Sequence, residues 1–280
     1  MDFAVTRFVW FQHQEKNMSV PVIIMGAGGR MGSTLTRLAL ESEKFVLAGV
    51  VERAGYSAGL ESLGCPVAHD LEDALATAPE AVVIDFTAPE VTLAAARAAS
   101  RTGNPVVIGT TGLNGAQIAE LEKLAVSCRM FWSPNMSVGV YALTRILPEL
   151  SRILGEDYDM EITEIHHHHK KDAPSGTAVR LAQVLAGARG WDLADVGNYG
   201  RHGLPGARPA RELGVHALRG GDVVGDHTVY FFGPGERVEV THRAHSRENF
   251  ARGVLHAAAW LVTRESGGLY GMDYLLGGLA

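Results

Sequence analysis

The chain has 280 residues, of which 46% are hydrophobic and 20% are charged, and its formal net charge is −6. This composition is typical of a globular protein with one large or two ordinary domains and argues against a disordered chain. The negative net charge disfavours nucleic-acid binding, and no uncharged apolar run approaches the roughly 20 residues that a membrane-spanning helix needs.

Buried strands alternate with amphipathic helices in the first half of the sequence. The predicted strands are 20–26, 45–52, 81–87, 105–111 and 129–135. The predicted helices are 30–43, 89–103 and 113–127. Alternation of strands and helices, with near-continuous Val and Ile runs in the strands, indicates a parallel sheet covered on both faces.

The second half of the sequence follows a different pattern. Helices are predicted at 138–154, 175–188 and 248–267. Strands are predicted at 158–167, within 207–227, and in a hairpin at 228–244 that turns at Gly233-Pro234-Gly235. Consecutive strands without intervening helices predict a mixed or antiparallel sheet, and therefore a second domain.

A glycine-rich turn, MGAGGRMG, connects the first strand to the first helix with Gly26, Gly28, Gly29 and Gly32. Glycine lets the backbone approach a pyrophosphate closely, and the helix N-terminus offers free N–H groups to it. The match to G-x-G-x-x-G is imperfect, because Met31 stands at the sixth position and Gly32 follows one place late. We predict a dinucleotide site, with an ordinary tight turn as the alternative.

Two further strand ends carry polar residues suited to such a cofactor. Glu52 can take the ribose hydroxyls of NAD, and Arg53 can meet the extra phosphate of NADP, so the pair predicts NADH and/or NADPH. The alternative is a solvated surface pair. The GTTG stretch at 109–112 ends a later strand and is expected to line the same crevice, although a capped strand-to-helix turn is its plainer interpretation.

These patterns predict an α/β fold with two domains. A Rossmann-type parallel-sheet nucleotide domain is expected at 18–136 plus 248–280, because the last amphipathic helix can pack back on the first domain. An α+β substrate domain with a mixed sheet is expected at 137–247. We predict an N-terminal extension at 1–17, since this stretch lacks the apolar run and cleavage site of a signal peptide.

The stretch EIHHHHKKDAPSGTA, at 164–178, admits a metal site or a site for proton transfer beside an anion. Adjacent histidines on an extended chain point to opposite faces, and the two cysteines form no metal-ligand pair. His242 and His245 could contribute ligands, but nothing in the sequence requires it. We therefore predict no physiological metal. Histidine and lysine can transfer protons, and the Pro-Ser-Gly-Thr segment opens a helix whose N–H groups suit a carboxylate. This combination indicates reduction of a small acidic C=N or C=C compound.

Read together, these motifs resemble the dihydrodipicolinate reductase family of lysine and diaminopimelate biosynthesis, from about residue 20 to the C-terminus. The most specific part is E-x-H-H-x-x-K-x-D-A-P-S-G-T at 164–177. The resemblance implies NAD(P)H-dependent reduction of dihydrodipicolinate to tetrahydrodipicolinate. It also implies an oligomerisation role for the second domain, a homotetramer, and a cytoplasmic location, which two separated cysteines also favour.

The resemblance further implies roles for individual residues. His166 would be the general acid, Lys170 a catalytic proton donor or charge stabiliser, and His167 a substrate contact. The substrate carboxylate would lie at Ser175, Gly176 and Thr177. The implied cofactor contacts are Gly26, Gly29, Arg30, Met31, Gly32, Glu52, Arg53, Gly109, Thr110, Thr111, Asn135 and Met136.

Two residues depart from the family pattern. His168 stands where many members have arginine, and Met136 stands where an aromatic residue is common. Two other functions stay open: a reductase of a different amino-acid-derived imine, and a non-catalytic protein that binds NAD(P) or a metal. The sequence does not decide between NADH and NADPH, nor between His166 and Lys170 as the proton donor.

Overall fold

The computed structural model describes residues 19–277, so the predicted extension at 1–17 lies outside the described residues. In chain order the elements are β1 (Val20–Met25), α1 (Arg30–Leu40), β2 (Phe45–Val51), β3 (Val67–Ala68), α2 (Leu71–Thr77), β4 (Val82–Asp85), α3 (Pro89–Thr102), β5 (Val106–Ile108), α4 (Gly115–Ala125), β6 (Arg129–Trp132), α5 (Val138–Leu154), β7 (Asp159–His166), α6 (Gly176–Ala188), α7 (Leu193–Val196), β8 (Gly197–Asn198), β9 (Leu213–Arg219), β10 (Gly225–Gly233), β11 (Glu236–Ala244), α8 (Glu248–Leu261), β12 (Gly268–Tyr270) and α9 (Met272–Leu276). Among these residues no helix combines the length and hydropathy needed to span a bilayer.

The larger sheet has seven parallel strands in the order β12-β6-β5-β4-β1-β2-β3. The strand order reverses between β1 and β4. In open α/β sheets a ligand crevice forms at such a reversal, outside the carboxyl ends of the strands. The Rossmann-type sheet predicted from the sequence is therefore confirmed.

Helices cover both faces of this sheet. On one face α1 and α8 bury side chains such as Leu35, Leu38 and Leu261 against β1 and β4. On the other face α2, α3 and α4 contribute Leu75 and Leu121, among others. Full burial of each such side chain is worth about 1.5–3 kcal/mol, which explains why the strands are almost entirely apolar.

The smaller sheet is mixed, in the order β11-β10-β7-β9-β8. Strand β7 pairs parallel with β9 and antiparallel with β10, which forms a hairpin with β11. Helices α5 and α6 cover one face through residues such as Leu147 and Leu185. The mixed sheet predicted for the second half of the chain is thus confirmed.

Several predicted boundaries need correction. The helix predicted at 248–267 ends at Leu261, and 268–270 instead forms edge strand β12. A Cβ on Gly267 would lie 2.5 Å from the backbone oxygen of Val126, so the chain passes too close to α4 for helical side chains to continue. The hairpin begins at Gly225 rather than 228. The sequence interpretation also missed a short 3₁₀ turn (Leu60–Leu63) and the elements β3, α2, α7, β8 and α9.

Candidate active site

Two adjoining cavities open at the carboxyl ends of the parallel strands and share the lining residues Phe86 and Thr87. The first cavity, of about 730 Å³, borders the glycine turn and the residues after β2. The second, of about 790 Å³, lies between the two sheets and is lined by the histidine motif and the start of α6. We call the two together the cleft.

The glycine turn forms one wall of the cleft. Gly26 has φ +65°, in the left-handed region that favours glycine. A Cβ on Gly32 would lie 2.1 Å from the backbone oxygen of Gly26, so only glycine lets α1 pack against the turn. No side chain caps α1 at Gly29, and its first turn holds no acidic residue. Its N–H groups are therefore available to a pyrophosphate, as a dinucleotide requires.

Glu52 and Arg53 lie beside this turn in the first cavity. The Glu52 carboxylate accepts hydrogen bonds from the backbone N–H groups of Gly28 and Arg53, at 3.0 Å each. Each oxygen keeps a lone pair for a further donor, such as a ribose hydroxyl. The Arg53 guanidinium lies 4.4 Å from the centre of the Tyr56 ring, a favourable cation–π contact. These residues fit the adenosine end of NAD(P)H.

A buried carboxylate fixes the loops after β4 and β5, which border both cavities. Asp85 is fully buried and accepts hydrogen bonds from the hydroxyls of Thr87 (2.6 Å), Thr110 (3.1 Å) and Thr92. Burial raises the pKa of Asp85, although the threonine hydroxyls oppose this shift. A Cβ on Gly109 would overlap the Phe86 ring, at 1.9 Å. Gly109 is thus required for packing of the loop, whatever else it contacts.

His166 ends strand β7 and lines the second cavity. Its Nδ1 lies 2.5 Å from an oxygen of Glu164, two residues earlier on the same face of the strand. Because the Glu164 carboxylate is ionised and can only accept, Nδ1 is the donor, and Nε2 is the nitrogen left for a substrate. This arrangement suits transfer of a proton at Nε2.

Glu164 is completely buried and tied by four hydrogen bonds. Besides His166, the donors are both terminal nitrogens of Arg219, at 2.8 Å each, and the backbone N–H of Ser175, at 2.9 Å. Burial alone would raise the pKa of Glu164, but the His166 and Arg219 hydrogen bonds outweigh it and lower the pKa to about 2. The carboxylate therefore stays charged over the working pH range.

His227 packs on the other side of the same group. Its ring stands edge-on to the His166 ring with centroids 5.2 Å apart, and its Nε2 lies 3.0 Å from the Ser175 hydroxyl. Burial, assisted by the charge of His166, lowers the pKa of His227 to about 3. His227 is therefore neutral near pH 7 and places no second positive charge beside His166.

Lys170 lines the same cavity as His166. Its Nζ donates a 2.9 Å hydrogen bond to Asp172, and its side chain is only 20% exposed. His167 lies next to it, and desolvation together with the nearby charge of Arg247 lowers the pKa of His167. Lys170 thus supplies a fixed cation, whereas His167 is disposed to remain neutral and to act through hydrogen bonds.

The start of α6 forms an anion cradle. Ser175 is the N-cap, and its hydroxyl accepts from the N–H of Ala178. As the first helical residues, Gly176 and Thr177 have N–H groups with no partner inside the helix. The amide of Asn135 donates to the Thr177 hydroxyl at 2.9 Å, which leaves that hydroxyl free to donate to an anion. Asn135 thereby links the segment after β6 to the cradle.

The structure places the sequence-predicted residues around the cleft with one exception. Gly26, Gly29, Glu52 and Arg53 line the first cavity. The second cavity is lined by Arg30, Met31, Gly109, Thr110, Thr111, Asn135, Met136, His166, His167, Lys170, Ser175, Gly176 and Thr177. Gly32 lines neither cavity and acts through helix packing.

The sequence interpretation missed Glu164, Arg219 and His227 as parts of the site. A signal existed for Glu164, since a residue two before His166 on a strand shares its face. Between residues 19 and 277 no group of three or more His, Cys, Asp or Glu side chains could hold a metal ion. The His168 ring lies beside that of His169, with centroids 3.9 Å apart and the planes tilted by 54°, and both residues are exposed.

Comparisons with known proteins agree along almost the whole chain. Family models described as dihydrodipicolinate reductase match it at both ends, the N-terminal model over residues 20–136 and the C-terminal model over 139–276. The 4-hydroxy-tetrahydrodipicolinate reductase of Nitratidesulfovibrio vulgaris is 58% identical over 255 residues, 91% of this chain and 98% of the relative. That of Oleidesulfovibrio alaskensis is also 58% identical, over 92% of this chain and its own full length.

A solved structure supports the fold. The dipicolinate-bound dihydrodipicolinate reductase from Paenisporosarcina sp. TG-14 superposes with a TM-score of 0.73 and 24% sequence identity, covering 92% of this chain and 100% of its own. At this identity the likeness bears on the fold alone.

Proposed function

We propose how the cleft divides the catalytic work, on the premise that this chain belongs to the dihydrodipicolinate reductase family. The chain is an NAD(P)H-dependent oxidoreductase that reduces dihydrodipicolinate, formed from hydroxy-tetrahydrodipicolinate, to tetrahydrodipicolinate in lysine and diaminopimelate biosynthesis. When bound, the nicotinamide supplies a hydride to carbon four of the unsaturated ring. The proposal concerns the role of each residue, the domain division, the assembly and the location.

His166 and Lys170 provide the proton that balances the hydride. Electron density moves through the conjugated ring toward its nitrogen, and a proton from Nε2 of His166 or Nζ of Lys170 completes the reduction. The cation at Lys170 also stabilises the negative charge that develops on the substrate. The observation that supports these roles is that both side chains line one cavity with the anion cradle at Ser175.

The cradle holds the flat dicarboxylate. One carboxylate accepts from the free N–H groups of Gly176 and Thr177 and from the Thr177 hydroxyl, while neutral His167 contacts the substrate by hydrogen bonding. The dipicolinate bound to the Paenisporosarcina enzyme is a planar dicarboxylate of this kind.

The cofactor lies along the turn and the strand ends. The α1 N-terminus, with Gly26, Gly29, Arg30 and Met31, takes the pyrophosphate, and packing at Gly32 holds this wall in place. Glu52 and Arg53 take the adenosine ribose with or without its phosphate. The residues expected toward the nicotinamide are Gly109, Thr110, Thr111, Asn135 and Met136.

The nucleotide domain comprises 18–136 plus 248–280, and the substrate domain 137–247. The two domains close about hinges at 134–138 and 246–250, where the chain crosses between the two sheets. The enzyme is a cytoplasmic homotetramer. Two exposed apolar side chains on the face of the mixed sheet opposite α5 and α6, Leu218 and Phe232, would be covered by contact between subunits.

The direct test is an NADPH oxidation assay with substrate generated in situ from pyruvate and aspartate semialdehyde by the preceding enzyme. The wild-type chain should oxidise NADPH only when both precursors are present. His166→Gln should lower kcat by about a hundredfold or more, the size of a lost general acid, with NADPH affinity unchanged. Turnover of His166→Gln close to wild type would remove His166 from the proposed mechanism.

A further inference from the structure

We propose that Glu164 is a positioning residue of the reaction, which orients His166 for proton transfer and anchors the donor and the anion cradle to one carboxylate. This inference rests on the role given above to His166. It deepens that role by assigning a function to a buried group that does not itself line the cleft.

The hydrogen bonds of Glu164 leave it nothing to offer a substrate directly. Its oxygen Oε2 accepts from His166 and Arg219, and Oε1 accepts from Arg219 and the N–H of Ser175. The four lone-pair positions of a carboxylate are thus all used. Any effect of Glu164 on catalysis must therefore act through the groups that it holds.

Strand register brings these groups together. On β7, Glu164 and His166 share a face, and the Cα partner of His166 on β9 is Arg219. On the other side, the Cα partner of Glu164 on β10 is His227. The pairing therefore brings the Glu164 carboxylate, the Arg219 guanidinium and the neutral His227 imidazole together on one face of the sheet.

The contact with Glu164 fixes both the tautomer and the orientation of His166. Because Nδ1 donates to the carboxylate, the imidazole ring cannot rotate without breaking a charge-assisted hydrogen bond. A Cβ on Gly225 would lie 2.9 Å from Nε2, so glycine there leaves room for the ring.

The same carboxylate links the proton donor to the substrate anchor. Ser175 N–H donates to Glu164, and Ser175 caps the helix whose first residues form the cradle. The Glu164 carboxylate therefore fixes the distance between Nε2 of His166 and a substrate carboxylate bound in the cradle. Such shared support holds reacting groups within the small tolerance that efficient transfer needs.

Other charged or titratable groups also surround His166 and bear on any pH measurement. They come from the β7–α6 segment, from neighbouring strands, and from the turn and α8 sides of the cleft: His167, His169, Lys170, Asp172, Arg219, His227, His242, Arg30 and Arg247. Replacement of Glu164 by Gln leaves all of these residues in place, although it also removes the charge that acts on Arg219 and His227. A change in the pH profile therefore reports on the loss of that one carboxylate charge.

The experiment measures kcat, KM and the pH profile of kcat/KM for Glu164→Gln. We expect kcat to fall about tenfold to a hundredfold, part of the contribution of a positioned general acid, with KM values changed by less than about threefold. The alkaline limb should move to lower pH by about one unit, the size expected for losing one charge-assisted hydrogen bond. An unchanged pH profile would overturn the proposal.

Glu161→Gln is the matched control. Glu161 lies on the same strand but on the opposite face, where it pairs with Arg201, Arg208 and His216, away from the cleft. It should retain the wild-type kcat and pH profile. If the alkaline limb of the pH profile shifted equally in this control, the loss of any carboxylate charge from β7 would disturb the enzyme. That result would also overturn the proposal.

A second variant covers the case in which Glu164→Gln does not fold because Arg219 is left without an anion. Replacing both partners, as Glu164→Leu with Arg219→Met, removes the buried pair without leaving an unpaired charge. This folded variant should show the same loss of kcat and the same alkaline shift. A wild-type profile in it refutes the inference, whereas an active His166→Gln refutes instead the proposed role of His166.

Discussion

Substitution of Gly32 by Ala tests whether the glycine turn requires the close contact seen in the structure. The added Cβ would lie 2.1 Å from the backbone oxygen of Gly26, whereas real Cβ contacts essentially never fall below 3.0 Å. The helix and turn must therefore separate by at least 3.0 − 2.1 = 0.9 Å. The atoms that the added Cβ would meet, in Gly26 and Ala27, all belong to the backbone, so no side-chain rotation relieves the overlap.

The expected cost follows from this displacement. Overpacking of this kind costs about 1–3 kcal/mol, which outweighs the gain of about 1 kcal/mol that alanine normally brings to a helix interior. We expect the melting temperature of Gly32→Ala to fall by several degrees and NAD(P)H affinity to drop about tenfold or more, because the N–H groups that meet the pyrophosphate are displaced. Thermal unfolding and fluorescence titration with NADPH measure the two effects.

Gly187→Ala provides the control for helix propensity. Gly187 lies in α6, and no atom lies within 4 Å of the place where an alanine Cβ would stand. Alanine there should therefore leave cofactor affinity unchanged and slightly raise stability. If Gly32→Ala matched this control in both melting temperature and NADPH affinity, close packing at Gly32 would not be what shapes the glycine turn.

Three further predictions concern single charged groups. Lys170→Ala should lower kcat by about a hundredfold or more with little change in cofactor affinity, and turnover near the wild-type value would rule out a catalytic role. Arg53→Ala should weaken NADPH much more than NADH, whereas an equal loss for both would show that Arg53 does not contact the phosphate. Glu164 has a pKa of about 2 against an ordinary value of 4.5, so it contributes about 3 kcal/mol of stability above about pH 4.5, lost as pH falls toward about 2. Urea unfolding at neutral and acidic pH should show that the free energy of unfolding falls less on acidification in Glu164→Leu/Arg219→Met than in the wild type. An equal fall in both proteins would contradict this.

The elements with strong patterns could be predicted from the sequence, and those that depend on tertiary contacts could not. Helix α5 begins and ends where its periodicity indicates, at Val138 and Leu154. By contrast, β3 has two residues and β12 has three, too few for any periodicity to be visible. Both exist because a neighbouring strand offers hydrogen bonds, which is information that a single sequence does not carry.

The same distinction applies to the candidate site. Residues contiguous in sequence, such as His166, Lys170 and Ser175, form a motif whose chemistry is readable. Arg219 lies 55 residues after Glu164, and His227 lies 52 residues after Ser175. They reach the site only because β9 and β10 flank β7 in a particular register. Sequence patterns define the alternation of faces within a strand, but not which strands become neighbours.

The polar interior of the smaller sheet shows how the fold serves the reaction at a cost in stability. A buried ion pair is often no more stable than apolar residues of the same shape, so the Glu164–Arg219 pair is not explained by stability alone. The same layer contains His227, whose buried Nδ1 has no hydrogen-bond partner among the described residues. A sheet selected only for stability would fill these positions with aliphatic side chains, as it does at Ile162 and Val229. Glu164, His166 and His227 lie at the end of the sheet that faces the cleft, which is where an oriented imidazole is useful.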